Sequence, residues 1–166
     1  PSTWRKRKRK SISEDTEQKE IVAMGSVNGK VTLYDVSSAS VCNVLENGHT
    51  ACITALTWSA GRGLFTASDD HHIVEWNIQE NAIKCKWKCG RGKITALAVT
   101  PDEQKLLSAD KMIKLWDLET QQVISTFTGH ANQISFLRPI KFDDNNSYFI
   151  SGAQGDSYLS VWSLTE

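Results

Sequence analysis

Residues 112–130 read Met-Ile-Lys-Leu-Trp-Asp-Leu-Glu-Thr-Gln-Gln-Val-Ile-Ser-Thr-Phe-Thr-Gly-His, and this stretch decides the fold. It holds a short apolar run that ends in Trp116-Asp117, a second run rich in β-branched residues at 122–127, and the pair Gly129-His130. Short runs of this composition, separated by polar residues and glycine, are typical of antiparallel strands joined by tight turns. The stretch therefore predicts two neighbouring strands and the turn that follows them.

The run that ends in Trp116 recurs along the chain. Three other segments share its pattern: 31–35, 73–77 and 159–163. The aromatic residues of the four segments are Tyr34, Trp76, Trp116 and Trp162, which are 42, 40 and 46 residues apart. A repeat of about 40–45 residues with a Trp-Asp ending is the spacing of four-stranded propeller blades.

The Gly-His pair keeps the same period. Gly48-His49 and Gly129-His130 lie 81 residues apart, which is two repeats. In the repeat between them the sequence reads Gly90-Arg91-Gly92-Lys93, so the histidine is missing there. Because two markers recur in phase, the repeat is a specific signal.

These observations predict an all-β fold with almost no helix, because no run of about ten residues has the period of an amphipathic helix. The predicted fold is a propeller segment of about 3.5–4 four-stranded antiparallel blades at 21–166, after a charged linker at 1–20 that is an insertion within a blade. An open stack of blades leaves apolar faces and strand edges bare. The chain begins with Pro1 rather than Met, so we expect a piece of a larger propeller of about seven or more blades.

Residues 21–166 resemble the family of WD-repeat propellers. In that family a His, a strand Ser or Thr, a turn Asp and the Trp form a buried hydrogen-bonded tetrad. The resemblance implies that the second repeat forms this tetrad from four residues: His49, Thr66, Asp70 and Trp76. The chemistry is reasonable, because the Asp accepts from one imidazole nitrogen and the indole N–H finds a hydroxyl acceptor.

The other three repeats depart from the tetrad. The first has Asn28 and Tyr34 in place of the Asp and the Trp, and the third lacks the His. The fourth keeps its His, Asp and Trp around an insertion at 143–147. We therefore expect a complete tetrad in the second repeat only.

A second resemblance concerns function. Trp76-Asn77 and the segment Lys84-Cys-Lys-Trp-Lys88 are similar to those of nucleolar WD-repeat proteins of the small-subunit processome, which assembles on pre-ribosomal RNA. The resemblance implies a non-catalytic scaffold in the nucleus and nucleolus that supports ribosomal RNA transcription and processing. Its partners are then other protein subunits of a large complex, with no membrane and no small-molecule substrate.

The alternative function is a peptide-reading propeller, such as a ubiquitin-ligase substrate receptor or a chromatin adaptor. A reader needs a cluster of Arg or aromatic residues on the loops at the channel mouth. These loops hold Ala51, Cys52, Arg91 and Lys93. They therefore favour the scaffold over the reader.

The net charge of zero hides a basic run. Six consecutive bases lie near the start: Arg5, Lys6, Arg7, Lys8, Arg9 and Lys10. Because they are six of the 19 bases, the rest of the chain has 13 bases against 19 acids. The run has three interpretations: a nuclear localisation signal, a contact to pre-ribosomal RNA phosphates, or a solvated loop. Only Trp4 is available to stack on a base, so base-specific recognition is not expected.

No cofactor, metal or enzymatic activity is expected. His71 and His72 are adjacent on a predicted strand and point to opposite faces, so they are poor joint zinc ligands with Cys85 and Cys89. The sequence has no Gly-x-Ser-x-Gly, and Gly90-Arg91-Gly92 lacks the ending of a phosphate-binding loop. The tryptophans are expected to be core or blade-face residues. Trp87 lies between two lysines and is the one most suited to be an exposed anchor for a partner.

Overall fold

The computed structural model describes residues 20–141 and 146–164. These residues form fourteen strands: β1 (Ile21–Gly25), β2 (Val31–Asp35), β3 (Ser40–Leu45), β4 (Ile53–Ser59), β5 (Gly63–Ser68), β6 (His72–Asn77), β7 (Ala82–Lys88), β8 (Ala96–Val99), β9 (Lys105–Ala109), β10 (Ile113–Asp117), β11 (Val123–Phe127), β12 (Ile134–Lys141), β13 (Ser147–Ala153) and β14 (Leu159–Ser163). Within these residues there is no α-helix, and the all-β prediction is confirmed. The described part of the chain also holds no helix long and apolar enough to cross a membrane.

The strands form four antiparallel sheets in chain order, and each sheet is one blade. Blade 1 is β1–β3, blade 2 is β4–β7, blade 3 is β8–β11 and blade 4 is β12–β14. Strand β4 lies against β8, and β8 lies against β12, so the first strands of blades 2 to 4 form one inner wall. This arrangement is the radial stack of small sheets expected of part of a propeller.

The four repeated aromatic residues occupy equivalent positions in their blades. Tyr34 is paired with Val22, and Trp76 is paired with Leu64 on the preceding strand. Trp116 and Trp162 have the same type of pairing, with Leu106 and Phe149. In blades 1 to 3 a β-bulge falls directly before the aromatic residue on the pairing to the following strand. The repeat read from the sequence is therefore a repeat of structure.

Apolar side chains between neighbouring sheets hold the blades together. One cluster joins blades 1 and 2, another joins blades 2 and 3, and a third joins blades 3 and 4. The largest fully buried side chains, Phe65, Trp76 and Phe149, lie one in each of these clusters. Because burying such a side chain contributes about 1.5–3 kcal/mol, the contacts between sheets supply most of the driving force for folding.

The prediction that Trp87 is an exposed anchor is wrong. Trp87 is only 9% exposed, whereas Trp58 on β4 is 40% exposed. The ring of Trp87 turns towards blade 3 and lies 6.2 Å from the ring of Trp116. Alternation along β7 explains the error, because Cys85 and Trp87 share the face that packs on blade 3 while Lys86 and Lys88 point to the opposite face.

Candidate functional site

The loops that precede the inner strands lie at one edge of the sheets, which we call the loop edge: residues 46–52, 89–95 and 128–133. The turn at 110–112 lies at the same edge, because Ala96 at the start of β8 is paired with Ala109 at the end of β9. Within the described residues, this edge holds the two buried networks centred on His49 and His130, and several exposed charged side chains. It is therefore the candidate functional surface.

The His49 network consists of His49, Thr66, Asp70 and Trp76, and the structure brings these four side chains together. His49 Nδ1 lies 3.0 Å from Asp70 Oδ2, and His49 Nε2 lies 2.8 Å from Thr66 Oγ1. Trp76 Nε1 donates to the same hydroxyl at 2.8 Å. Since Nδ1 donates to the carboxylate, Nε2 is the acceptor for the Thr66 hydroxyl, and one neutral tautomer satisfies every group.

The glycine before His49 has a steric role. A Cβ on Gly48 would lie 2.2 Å from Trp76 Cζ2, so only glycine leaves room for the indole ring. In blade 4 a Cβ on Gly129 would lie 2.9 Å from Trp162 Cη2. The Gly-His marker in the sequence therefore records both the polar network and the packing of the Trp against the loop.

Burial and hydrogen bonding shift the two titratable groups of the network. Burial lowers the pKa of His49 despite the nearby carboxylate of Asp70. Burial by itself would raise the pKa of Asp70, but hydrogen bonds from the Thr50 and His72 backbone N–H groups and the interaction with His49 outweigh it and lower that pKa. The pair is therefore held as a neutral ring beside a carboxylate.

Replacing Asp70 by Ala is expected to lower the free energy of unfolding by about 1–3 kcal/mol, because the buried His49 ring loses its acceptor. Three N–H groups are affected: His49 Nδ1, Thr50 N and His72 N. Chemical denaturation followed by tryptophan fluorescence measures the change. The neighbouring Asp69 is exposed and gives the matched control, since Asp69→Ala should change stability by less than about 0.5 kcal/mol. Equal effects of the two substitutions would contradict the role given to Asp70.

The free energy of unfolding is expected to fall as the pH drops from about 7 to about 5, because the His49 ring resists protonation in the folded chain. The reference pKa of His49 is 6.5 and the folded value is lower, so below 6.5 the unfolded chain binds more protons and acid favours unfolding. His49→Gln should make this slope shallower, with stability measured at each pH by urea titration. Between about pH 7 and 8 the free energy of unfolding should hardly change with pH, in the parent chain or in His49→Gln. An unchanged acid slope in the variant would disprove the assignment.

Blade 4 contains a second complete network, which corrects the expectation of a complete tetrad in one repeat only. His130 Nδ1 lies 2.8 Å from Asp156 Oδ2, and His130 Nε2 lies 2.7 Å from Ser151 Oγ. Trp162 Nε1 donates to the Ser151 hydroxyl at 2.8 Å. A hydrogen bond from His130 lowers the pKa of Asp156. The insertion at 143–147 lies between His130 and Ser151 in the sequence. The spacing of the other repeats therefore did not identify Ser151 as the strand hydroxyl.

Blades 1 and 3 have only fragments of the network. In blade 3, Trp116 Nε1 donates to Ser108 Oγ at 2.8 Å, and the loop where the His would lie is Gly90-Arg91-Gly92-Lys93. In blade 1, Asn28 and Ser26 bond to each other and to the Lys30 backbone. The loop edge of blade 3 is therefore built differently from that of blades 2 and 4.

The sequence reasoning missed an ion cluster at the opposite edge of the sheets, which we call the Glu75 cluster: Arg62, Glu75, Lys84 and Glu103. Glu75 is 0% exposed, yet Arg62 Nε donates to it at 3.0 Å and Lys84 Nζ at 2.8 Å. The signal was present, because Glu75 stands directly before the repeated aromatic residue, where the other blades have Leu33, Leu115 and Val161.

The Glu75 cluster connects blade 2 to blade 3. Arg62 donates to the backbone carbonyl oxygens of Glu103 and Leu118, both of which lie in blade 3. In return the Glu103 carboxylate accepts from Ser59 Oγ at 2.7 Å and from Gly61 N at 2.8 Å. The hydrogen bond from Gly61 is the main reason that the pKa of Glu103 is lowered. This contact fixes the two blades at the edge that lies away from the loops.

The structure describes the candidate metal ligands but not the basic run. In the described part of the chain no group of three His, Cys, Asp or Glu side chains is placed to hold a metal ion. Burial raises the pKa of the Cys89 thiol to about 11, so this residue stays protonated and is a poor ligand or nucleophile. The basic run at 5–10 lies outside the described residues.

Comparison with known families agrees with this geometry. Residues 16–102, more than half of the chain, match the family described as the anaphase-promoting complex subunit 4 WD40 domain. Residues 121–163 match the family described as WD domain, G-beta repeat. The chain therefore belongs to the WD-repeat (WD40) β-propeller family.

Three individual relatives show which WD-repeat proteins the chain is similar to. The chain is 37% identical to human WD repeat-containing protein 43 over 98% of its own length and 26% of the relative. It is 26% identical to U3 small nucleolar RNA-associated protein 5 of Saccharomyces cerevisiae, over 86% of the chain and 22% of that protein. It is also 29% identical to the ribosome biogenesis protein WDR12 homolog of Culex quinquefasciatus, over 77% of the chain and 30% of that protein. The chain thus spans between a fifth and a third of the length of these relatives.

Proposed function

We propose that this chain is a non-catalytic scaffold segment of the nucleolar small-subunit processome, and that it supports ribosomal RNA transcription and processing. The observation that carries the proposal is the similarity of nearly the whole chain to WD repeat-containing protein 43. Support also comes from two further relatives whose names refer to small nucleolar RNA and to ribosome biogenesis.

The described geometry is compatible with a scaffold. His49 and His130 are both engaged in buried networks that hold loops against strands, so neither is available as a catalytic base. Apolar clusters join each pair of neighbouring blades, and the Glu75 cluster adds polar contacts between blades 2 and 3. A stiff stack of this kind presents fixed loops and edges to partner proteins at low entropic cost.

The test is the location and the partners of the tagged chain in living cells. We expect nucleolar accumulation and co-purification of processome proteins with pre-ribosomal RNA. A diffuse cytoplasmic signal without these partners would argue against the processome. The Trp76→Ala variant is the control for folding, because it is expected to be destabilised. Partner capture should be lost when the packing between the blades is disrupted.

We further propose that the basic run, Arg5 to Lys10, acts in nuclear localisation or in contact with RNA phosphates. Replacing all six bases by Gln should reduce nucleolar accumulation. Fusing an unrelated nuclear import signal to the replaced chain separates the two roles. Full recovery of RNA retention identifies a localisation signal, whereas nuclear entry without RNA retention identifies an RNA contact. No effect of the replacement would leave the run as a solvated loop.

A peptide reader is the second candidate, because Arg91 and Lys93 on the loop edge are both exposed. The two functions differ in what co-purifies. A reader captures individual proteins that share one short motif, whereas a processome scaffold captures a large assembly with its RNA.

A further inference from the structure

We infer that the loop edge of blade 3 is a docking site for an acidic protein segment that carries an aliphatic side chain. The site has two parts: a basic cluster, defined as Arg91, Lys93 and Lys111, and an apolar cavity beside it. The inference rests on the proposed role in binding protein partners and adds the chemistry of the segment that is bound.

The basic cluster is exposed and uncompensated. All three side chains are exposed. Among the described residues none of them forms an ion pair, although the structure contains such pairs at Lys30, Arg62 and Lys84. Asp110 lies against the loop at Gly92, and one of its oxygens accepts a hydrogen bond from the Met112 N–H at 2.7 Å. Asp70 is the second acid near the loop, since both carboxylates act on the Cys89 thiol. The three exposed cations and Lys114 outnumber these two carboxylates, and the excess positive charge attracts an acidic ligand.

The loop that carries the cluster is held in place by its glycines and by a lysine. Gly90 has a φ of 112°, which favours glycine, and a Cβ on Gly92 would lie 2.0 Å from Asp110 Oδ2. Lys114, on β10, donates a hydrogen bond from its Nζ to the Cys89 carbonyl oxygen at 3.1 Å. The loop at 88–93 and the turn at 110–112 are therefore packed against each other, and their cations are presented on a preorganised surface.

An apolar cavity lies between two of these cations. Its volume is about 400 Å³, and it is lined by Gly92, Lys93, Asp110, Lys111, Met112 and Gln133. Met112 is 40% exposed and forms the apolar part of the wall. A methionine wall adapts to aliphatic side chains of different shape. Lysines on both sides of an apolar cavity fit an aliphatic side chain that has acidic neighbours in its sequence.

The same features disfavour nucleic acid at this site. Single-stranded RNA is held by exposed aromatic side chains that stack on its bases. The two tryptophans that pack with Cys89 and Ile94 of this loop, Trp87 and Trp116, are only 9% and 5% exposed. The chain outside the basic run also carries more acids than bases, so a long phosphate backbone would be repelled away from this cluster.

The test is fluorescence anisotropy with the complete chain and a labelled synthetic peptide in which one leucine stands between two pairs of glutamates. Lys111→Glu should weaken binding by about tenfold, because a favourable contact becomes a repulsive one. Lys30→Glu is the control, since Lys30 lies in the equivalent turn of blade 1 and should change affinity by less than about twofold. It breaks an ion pair with Glu46, but both side chains of that pair are exposed and such pairs contribute little to stability. Both lysines are exposed, and unchanged circular dichroism confirms that the variants fold.

Two further arms decide the chemistry of the ligand. Met112→Ser should weaken binding of the leucine peptide by about fivefold and leave binding of the matching alanine peptide almost unchanged, because only leucine fills the cavity. Equal binding by Lys111→Glu and the parent chain would overturn the proposal. So would displacement of the peptide by an oligouridine of equal charge at lower concentration, since RNA would then be the better ligand. Failure in any arm leaves the localisation and co-purification results standing, so the two proposals fail separately.

Discussion

Replacing Trp76 by Ala is expected to lower the free energy of unfolding by about 3–5 kcal/mol, which is the usual cost of emptying a buried aromatic site. Trp76 is 1% exposed and belongs to the cluster that joins blades 1 and 2. Its loss opens a cavity against Gly48 and removes the indole N–H from the Thr66 hydroxyl at the same time. Urea denaturation followed by circular dichroism measures the effect without relying on the removed fluorophore.

Trp58 gives the matched control because it is the same residue type in the same blade. It is 40% exposed, so Trp58→Ala should cost about 1 kcal/mol or less. Equal effects of the two substitutions would show that packing between β2 and β6 contributes no more to the free energy of unfolding than the exposed site of Trp58. A larger effect for Trp58 would contradict the packing described above.

Arg62→Ala is expected to have the second largest effect, a loss of about 3 kcal/mol, because removing one partner of a buried ion pair leaves an uncompensated charge. Glu75 is fully buried and would keep only Lys84 as a counter-ion. The variant also loses the donors to the carbonyl oxygens of Glu103 and Leu118 across the blade interface. Thermal and urea denaturation should both show the loss.

Two matched variants make this prediction specific. Arg91→Ala removes an exposed arginine with no ion pair among the described residues and should change stability by less than about 0.5 kcal/mol. The double variant Arg62→Ala with Glu75→Leu should recover about half or more of the lost stability, because the buried charge is removed together with its partner. Leucine suits the position, since Leu33 and Leu115 occupy it in blades 1 and 3. A double variant no more stable than Arg62→Ala would show that the buried carboxylate is not the cause.

Part of the candidate site could be predicted and part could not. The resemblance to WD-repeat propellers implied the four members of the His49 network, because all four residues of the family's tetrad are present in the second repeat. Ser151 was missed because an insertion broke that offset, although the strand register still brings it to His130. Lys111 was not recognised as a neighbour of Lys93, because proximity between a loop and a turn depends on strand pairing and not on sequence spacing.

The sequence by itself determined the strand content, the repeat and the blade boundaries, because hydrophobic alternation, turn residues and the period between Tyr34, Trp76, Trp116 and Trp162 are local properties of the chain. Only the tertiary structure decided which faces of the strands are covered. Trp87 is buried and Trp58 is exposed because the neighbouring sheet covers the first ring and leaves the second partly uncovered. The buried charge of Glu75 was likewise decided by Arg62, a residue 13 positions away that folding brings within hydrogen-bond distance. Burial and charge pairing are properties of the space between elements, and that space is fixed only when the sheets pack.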